Sequence, residues 1–211
     1  MANRRISTRR LHLDQALMRK SKEEAEKTRR RIVTAAAAEF RKRGIVATGL
    51  NDLMQAAGLT HGGFYRHFDS KEQLVAEATD EALAALIKRI TDAASRGRTK
   101  SRSRGGLAAA IGEYLSLRHR DNPRDGCPLA AMGSELTRAG AKTREAATVG
   151  FQKLVETLAG EFEGIRPDQA KKRALAAAAT LVGALTISRI VTDPALSKTI
   201  LQQAADSVTS D

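Results

Sequence analysis

His61, Gly62 and Gly63 stand directly after Thr60 in the stretch Gly58-Leu59-Thr60-His61-Gly62-Gly63-Phe64-Tyr65. Thr60 suits the N-cap of a short helix, which puts the three residues in its exposed first turn. An imidazole there can hydrogen-bond a base edge, and the bare N–H groups of two glycines can meet phosphate oxygens. Two glycines in one helical turn cost roughly 1 kcal/mol each in propensity, so their presence suggests close approach to another surface. A loose helix start and a solvated His61 are the competing readings. Thr48 is placed in the same way, as N-cap of a preceding helix whose positive end would face a phosphate.

Other chemistries lack residues. His61 and His67 are six positions apart while His12 and His119 are distant from them, so no metal-ligand set is expected. No paired nucleophile and base, phosphate-binding glycine loop or acid cluster can be assembled, so the chain is not expected to be an enzyme or to need a cofactor. The single cysteine, Cys127, excludes an internal disulfide and suits a reducing, cytoplasmic setting. The most apolar stretch, 174–187, falls short of the roughly 20 residues a membrane span requires, so no membrane partner is expected.

The elements that would carry His61 are helices. Sustained alternating runs of Val, Ile or Thr are absent, and capping signals recur. Ser21 with Glu24 predicts a first helix over 22–43, closed by Gly44, and Thr48 opens a short helix closed by Gly58. A second short helix follows at 61–67, and Ser70 with Gln73 opens a long one to about 94. The run 96–106, with five basic side chains and three glycines, reads as an exposed loop. Further helices are expected at 107–120, 128–139, 141–163, 167–191 and 194–207, with Pro128, Pro167 and Pro194 in first turns. The expected fold is all-α.

The chain of 211 residues carries 36 Lys and Arg against 24 Asp and Glu, a net of +12 and a pI near 10.3. Residues 1–71 hold +9 of that excess. A basic, helical, aromatic-pinned first third points to nucleic acid. Three units are expected: a flexible basic arm at 1–20, a helix-turn-helix DNA-binding domain at 21–70 with a linking helix at 70–94, and a larger domain at 95–211. A solvated tail is the competing reading of the arm. A sequence-indifferent architectural nucleic-acid binder is the alternative function, since charge alone would serve it.

The pattern Thr28-Arg29, Ile32, Ala35-Ala36, Phe40, Gly44, Thr48, Leu53, Ala57 to Phe68, Ser70-Lys71-Glu72 and Leu74 resembles the N-terminal domain of TetR-family transcriptional regulators over about residues 21–78. The resemblance implies an all-helical homodimer on a palindromic operator of double-stranded DNA, usually as a repressor released by a small-molecule inducer. It also implies that Tyr65, His67 and Lys71 touch the DNA backbone. Phe64 and Phe68 are expected in the core of the small domain. Translation from Met18 would match the family's short lead.

The stretch from Asp121 to Leu136 resembles a recurrent segment of one branch of the same family's C-terminal domains. Cys127, at the N-cap or first turn of a helix with Arg118, Arg120 and Arg124 nearby, is either an activated sensor thiol or a small buried packing residue. An inducer cavity is expected among Ile111, Tyr114, Leu115, Cys127, Met132, Phe151 and Val155. The scarcity of aromatics favours a small or aliphatic effector. Glu113 and Glu135 are expected at the surface. Helices 167–191 and 194–207, apolar over much of their circumference, suit a homodimer interface.

Overall fold

The computed structural model describes residues 2–100 and 105–210. Among these the secondary structure is helical: α1 (Ala2–Arg43), α2 (Leu50–Ala56), a 3-10 helix (His61–Arg66), α3 (Lys71–Lys100), α4 (Gly105–Tyr114), α5 (Leu117–Asp121), a 3-10 turn (Pro123–Asp125), α6 (Pro128–Leu136), α7 (Ala141–Ala159), α8 (Pro167–Ile190) and α9 (Pro194–Thr209).

Several expected boundaries move. No glycine or proline interrupts residues 2–43, so α1 runs straight through Ser21 and the expected flexible arm has helical backbone. Gly44, at φ +90°, stops it as expected, and Arg41, Lys42 and Arg43 complement its negative end. The long α3 continues to Lys100, which converts the first part of the expected basic loop into helix; residues 101–104 of that loop lie outside the described residues. The helix expected at 107–120 breaks after Tyr114 because Ser116 starts a new one, its hydroxyl accepting from the His119 N–H at 3.1 Å. Pro128, Pro167 and Pro194 each occupy the first turn of their helices, and Asp193 caps α9.

Two apolar clusters hold the helices. The first joins Ile32, Phe40, Leu53, Met54, Phe64, Phe68 and Leu74 to Met132 and Leu136 of α6. The second joins Ile90, Ile111, Tyr114, Cys127, Leu154, Leu158, Leu181 and Leu185. Burial of each large side chain contributes roughly 1.5–3 kcal/mol. Helix α3 threads both clusters, and α6 donates opposite faces to them. Gly150 lets α7 approach α3 closely, since a Cβ there would come within 2.3 Å of Leu83.

The expectation that nothing is long enough to cross a bilayer needs correction, because α8, with 24 residues, is long and apolar enough by length and composition. Its apolar character has another use: Ala174, Ala178, Leu181 and Leu185 are buried in the second cluster.

Candidate nucleic-acid interface

Helix α2 starts at Gly49, not Thr48. The Gly49 N–H donates to the Asp52 carboxylate at 3.2 Å, while Thr48 is fully buried and its hydroxyl donates to the Gly44 carbonyl at 2.6 Å. The hydroxyl finds a nearer acceptor at the end of α1, so the Thr48 side chain is structural and away from any DNA surface. Gly58, at φ +66°, turns the chain after α2, and its N–H donates to the Gln55 carbonyl at 2.9 Å.

Thr60 precedes the next helix in extended conformation, and its side chain makes no capping hydrogen bond. The segment from His61 forms a 3-10 helix where an α-helix was expected, a tighter winding in keeping with its glycine-rich start. Thr60, His61, Gly62, Tyr65 and Arg66 are exposed along it, Gly63 and His67 are half-buried, and Tyr65 keeps 68% of its surface in solvent. Phe64 and Phe68 point inward as expected, their rings stacked 5.6 Å apart.

Nothing inside the molecule requires the glycine pair. Neither residue has positive φ; a Cβ on Gly62 would meet nothing within 4 Å, and one on Gly63 would make ordinary contact with Met54 at 3.5 Å. The outer surface of the turn is therefore smooth for a reason external to the fold.

Two residues position this helix. Arg29 of α1 donates to the His67 carbonyl at 3.3 Å, pairs with Glu77 at 2.5 Å and lies 4.5 Å over the Phe68 ring. The Lys71 ammonium donates to the Ile45 carbonyl at 2.7 Å, so it is engaged within the fold. Sequence reasoning missed Arg29 as an anchor and Arg66 as an exposed cation on the reading helix.

It also missed Glu135. This α6 residue, expected at the surface, accepts from the Ile45 N–H at 3.0 Å and the Val46 N–H at 2.9 Å. Nearby, Arg124 pairs with buried Glu39 of α1 at 2.9 Å, and Arg41 donates to the Arg124 carbonyl at 2.7 Å. The segment 121–136 thus grips α1 at two places. Glu113, the other acid expected at the surface, is partly covered and pairs with Arg118 at 2.5 Å.

The larger domain departs further from expectation. Ile111, Tyr114, Leu115, Cys127 and Val155 are buried in the second cluster with Phe151 packed against it, filling core. Met132 instead faces the first cluster, because its four-residue spacing from Leu136 puts both on the α6 face turned to α1. A half-open cleft of about 580 Å³ lies elsewhere, lined by Leu107, Phe162, Ile165, Val208, Arg173 and their neighbours.

Cys127 is the N-cap of α6, yet it is fully buried, and burial pushes its thiol above the ordinary range. Desolvation outweighs the helix end and the nearby arginines, so the packing role holds and the activated thiol does not. His119 fixes this corner: its Nε2 accepts from the Cys127 N–H at 2.9 Å, so Nδ1 carries the proton donated to the Tyr114 carbonyl at 2.6 Å. Burial first, and the neighbouring arginines after it, lower its pKa to about 4.

Two family descriptions cover most of this architecture. Residues 32–78 match bacterial regulatory proteins of the tetR family, and residues 81–206 match the C-terminal domain of LmrA/YxaF-like transcriptional regulators. The chain belongs to the TetR family. Among relatives of this TetR-family regulator, the uncharacterized HTH-type transcriptional regulator Rv0196 of Mycobacterium tuberculosis is 31% identical over 78% of this chain and 86% of its own. The probable acrEF/envCD operon repressor of Escherichia coli K12 is 41% identical over 29% of this chain and 28% of its own, within the DNA-binding end. A TetR-family regulator of Cytophaga hutchinsonii shares the fold, with TM-score 0.72 and 22% identity over 88% of this chain and 94% of that one.

Proposed function

We propose that this TetR-family regulator is a homodimeric repressor that binds a palindromic operator and leaves it when a small molecule enters its C-terminal domain. The observation that carries the reading is the surface at Thr60 to Arg66: an exposed hydroxyl, imidazole, phenol and guanidinium around two glycines that no internal contact needs. His61 and the glycine turn read base edges; Tyr65, Arg66 and His67 hold phosphates. A likeness to a relative named as an operon repressor supports repression. Work on chromosomal DNA places the protein in the cytoplasm.

Dimerisation rests on α8 and α9. Leu175, Ile187, Ile190 and Leu196 are large, apolar and exposed on them, and Ile190 keeps 70% of its surface. A matching face on a second copy would cover them and set two reading helices on successive half-sites.

Footprinting upstream of the protein's own gene at low and moderate salt tests the proposal. Protection confined to an inverted repeat at both salt concentrations is expected. Uniform protection that vanishes with salt would replace it with the architectural reading.

A further inference from the structure

The second core contains a guanidinium with an unfilled donor. Arg189 of α8 donates through Nε to the Arg120 carbonyl at 3.0 Å and through Nη2 to the His119 carbonyl at 2.7 Å, which leaves Nη1 buried with no hydrogen-bond partner. Tyr114 is fully buried, and its hydroxyl lies beside the Cys127 thiol without a well-formed hydrogen bond. The two groups belong to one cluster. The Tyr114 ring packs edge-on against His119 at 5.0 Å, His119 holds the Cys127 N–H, and Arg189 and Tyr114 are close enough to act on each other electrostatically.

Such a pair is costly as it stands, because a buried donor without an acceptor forfeits its hydration and a buried charge does so more heavily. Asp121 offers little relief: it acts on Arg189 only through space, and its carboxylate is taken by Arg120 at 2.7 Å. An acceptor of single negative charge would use both Nη1 and the hydroxyl. Ile111, Leu115, Ala184 and Leu185 in the same cluster make the remaining surroundings apolar. A cleft of about 270 Å³, lined by Arg120, Ser188, Arg189 and Ser197 beside the α8–α9 turn, reaches Arg189 from solvent.

We propose that Arg189 Nη1 and the Tyr114 hydroxyl receive the carboxylate of a small organic acid with a short apolar tail. This acid is the effector of the repressor reading, on which its regulatory consequence rests. One guanidinium matches one negative charge, which suits a carboxylate better than a phosphate dianion. Filling the site ties α8 to α4 and, through His119 and Cys127, to the N-terminus of α6.

Butyrate is the probe, with butyramide as its uncharged counterpart, titrated calorimetrically into the full chain. The wild type is expected to bind butyrate and not butyramide. Tyr114→Phe removes an oxygen that forms no well-made bond in the fold, so it should keep its melting temperature and lose at least about tenfold in butyrate affinity. Arg189→Lys, which keeps the charge and loses the Nη pair, should lose affinity as well. Equal affinity in wild type and Tyr114→Phe overturns the proposal, as does no binding, or a crystal grown in butyrate with water alone on the hydroxyl. Gel shifts separate the two readings: operator binding indifferent to butyrate sinks the carboxylate site and leaves the repressor. Tyr114-dependent butyrate binding without any operator protection does the reverse.

Discussion

The Glu135 carboxylate bridges the N–H groups of Ile45 and Val46, so one side chain of α6 holds the turn between α1 and α2 with both its oxygens. A Cβ on Gly44 would come within 2.8 Å of the same carboxylate, and Lys71 takes the Ile45 carbonyl from the other side. The turn is thus fixed by groups from α3 and α6 that never approach DNA.

Removing that grip should weaken operator binding without touching the reading surface. Glu135→Ala leaves two N–H groups without their acceptor and is expected to cost about 1–3 kcal/mol in stability. Urea unfolding measures that loss, and operator titration should show weaker binding while the preferred sequence stays unchanged. A shifted sequence preference would assign Glu135 a direct contact instead.

Gly62→Ala should do the opposite. The site has room for a methyl group inside the protein, and alanine favours helix over glycine by about 1 kcal/mol, so thermal stability should hold or rise. Operator affinity should nevertheless fall by at least about tenfold, because the added methyl stands where the duplex approaches. Undiminished binding would return the glycines to a loose helix start.

His119 predicts a pH dependence of stability. Its pKa is lowered in the folded chain to about 4 from 6.5, so between those values the unfolded chain binds the extra proton. Stability from this group is complete above pH 6.5 and is lost as the pH falls towards 4, by about 3 kcal/mol in all. Denaturation midpoints at pH 7.5 and 5 measure the decline, and His119→Gln should flatten it. An equal slope in the variant would assign the effect elsewhere.

Cys127 should behave as an inert thiol. Its burial predicts that a disulfide reagent labels it only on unfolding, and that mild peroxide leaves operator affinity unchanged. Labelling of the native protein within minutes would restore the sensor reading.

Ile190→Glu places a charge on the most exposed large apolar side chain of α8. Sedimentation should show a monomer, with operator affinity at least about tenfold weaker as the two half-sites lose their linkage. A dimer of unchanged strength would move the interface away from this face.

Local signals carried much of the fold. Gly44 and Gly58 mark chain reversals, and three prolines mark helix starts, because these residues act through their own backbone. Thr48 misled for a related reason: its hydroxyl had two local acceptors or donors to choose from, and the end of α1 won over the start of α2. The Ser21 signal failed because a capping pair does not end a helix that nothing else breaks. Glu135 was illegible as an anchor, since its partners lie 90 and 89 positions away and only packing brings them together. The effector cavity misled because apolar residues on helices look alike whether they line space or fill it.

Met132 and Leu136 reach from α6 into the cluster that holds the reading helix, and this joins the fates of the two halves. A fragment ending with α3 would contain every side chain proposed to meet DNA and still lack the two that close its own core. Unfolding should therefore be a single cooperative event spanning both halves. The part of the chain that reads DNA is smaller than the part that must fold for it to be read.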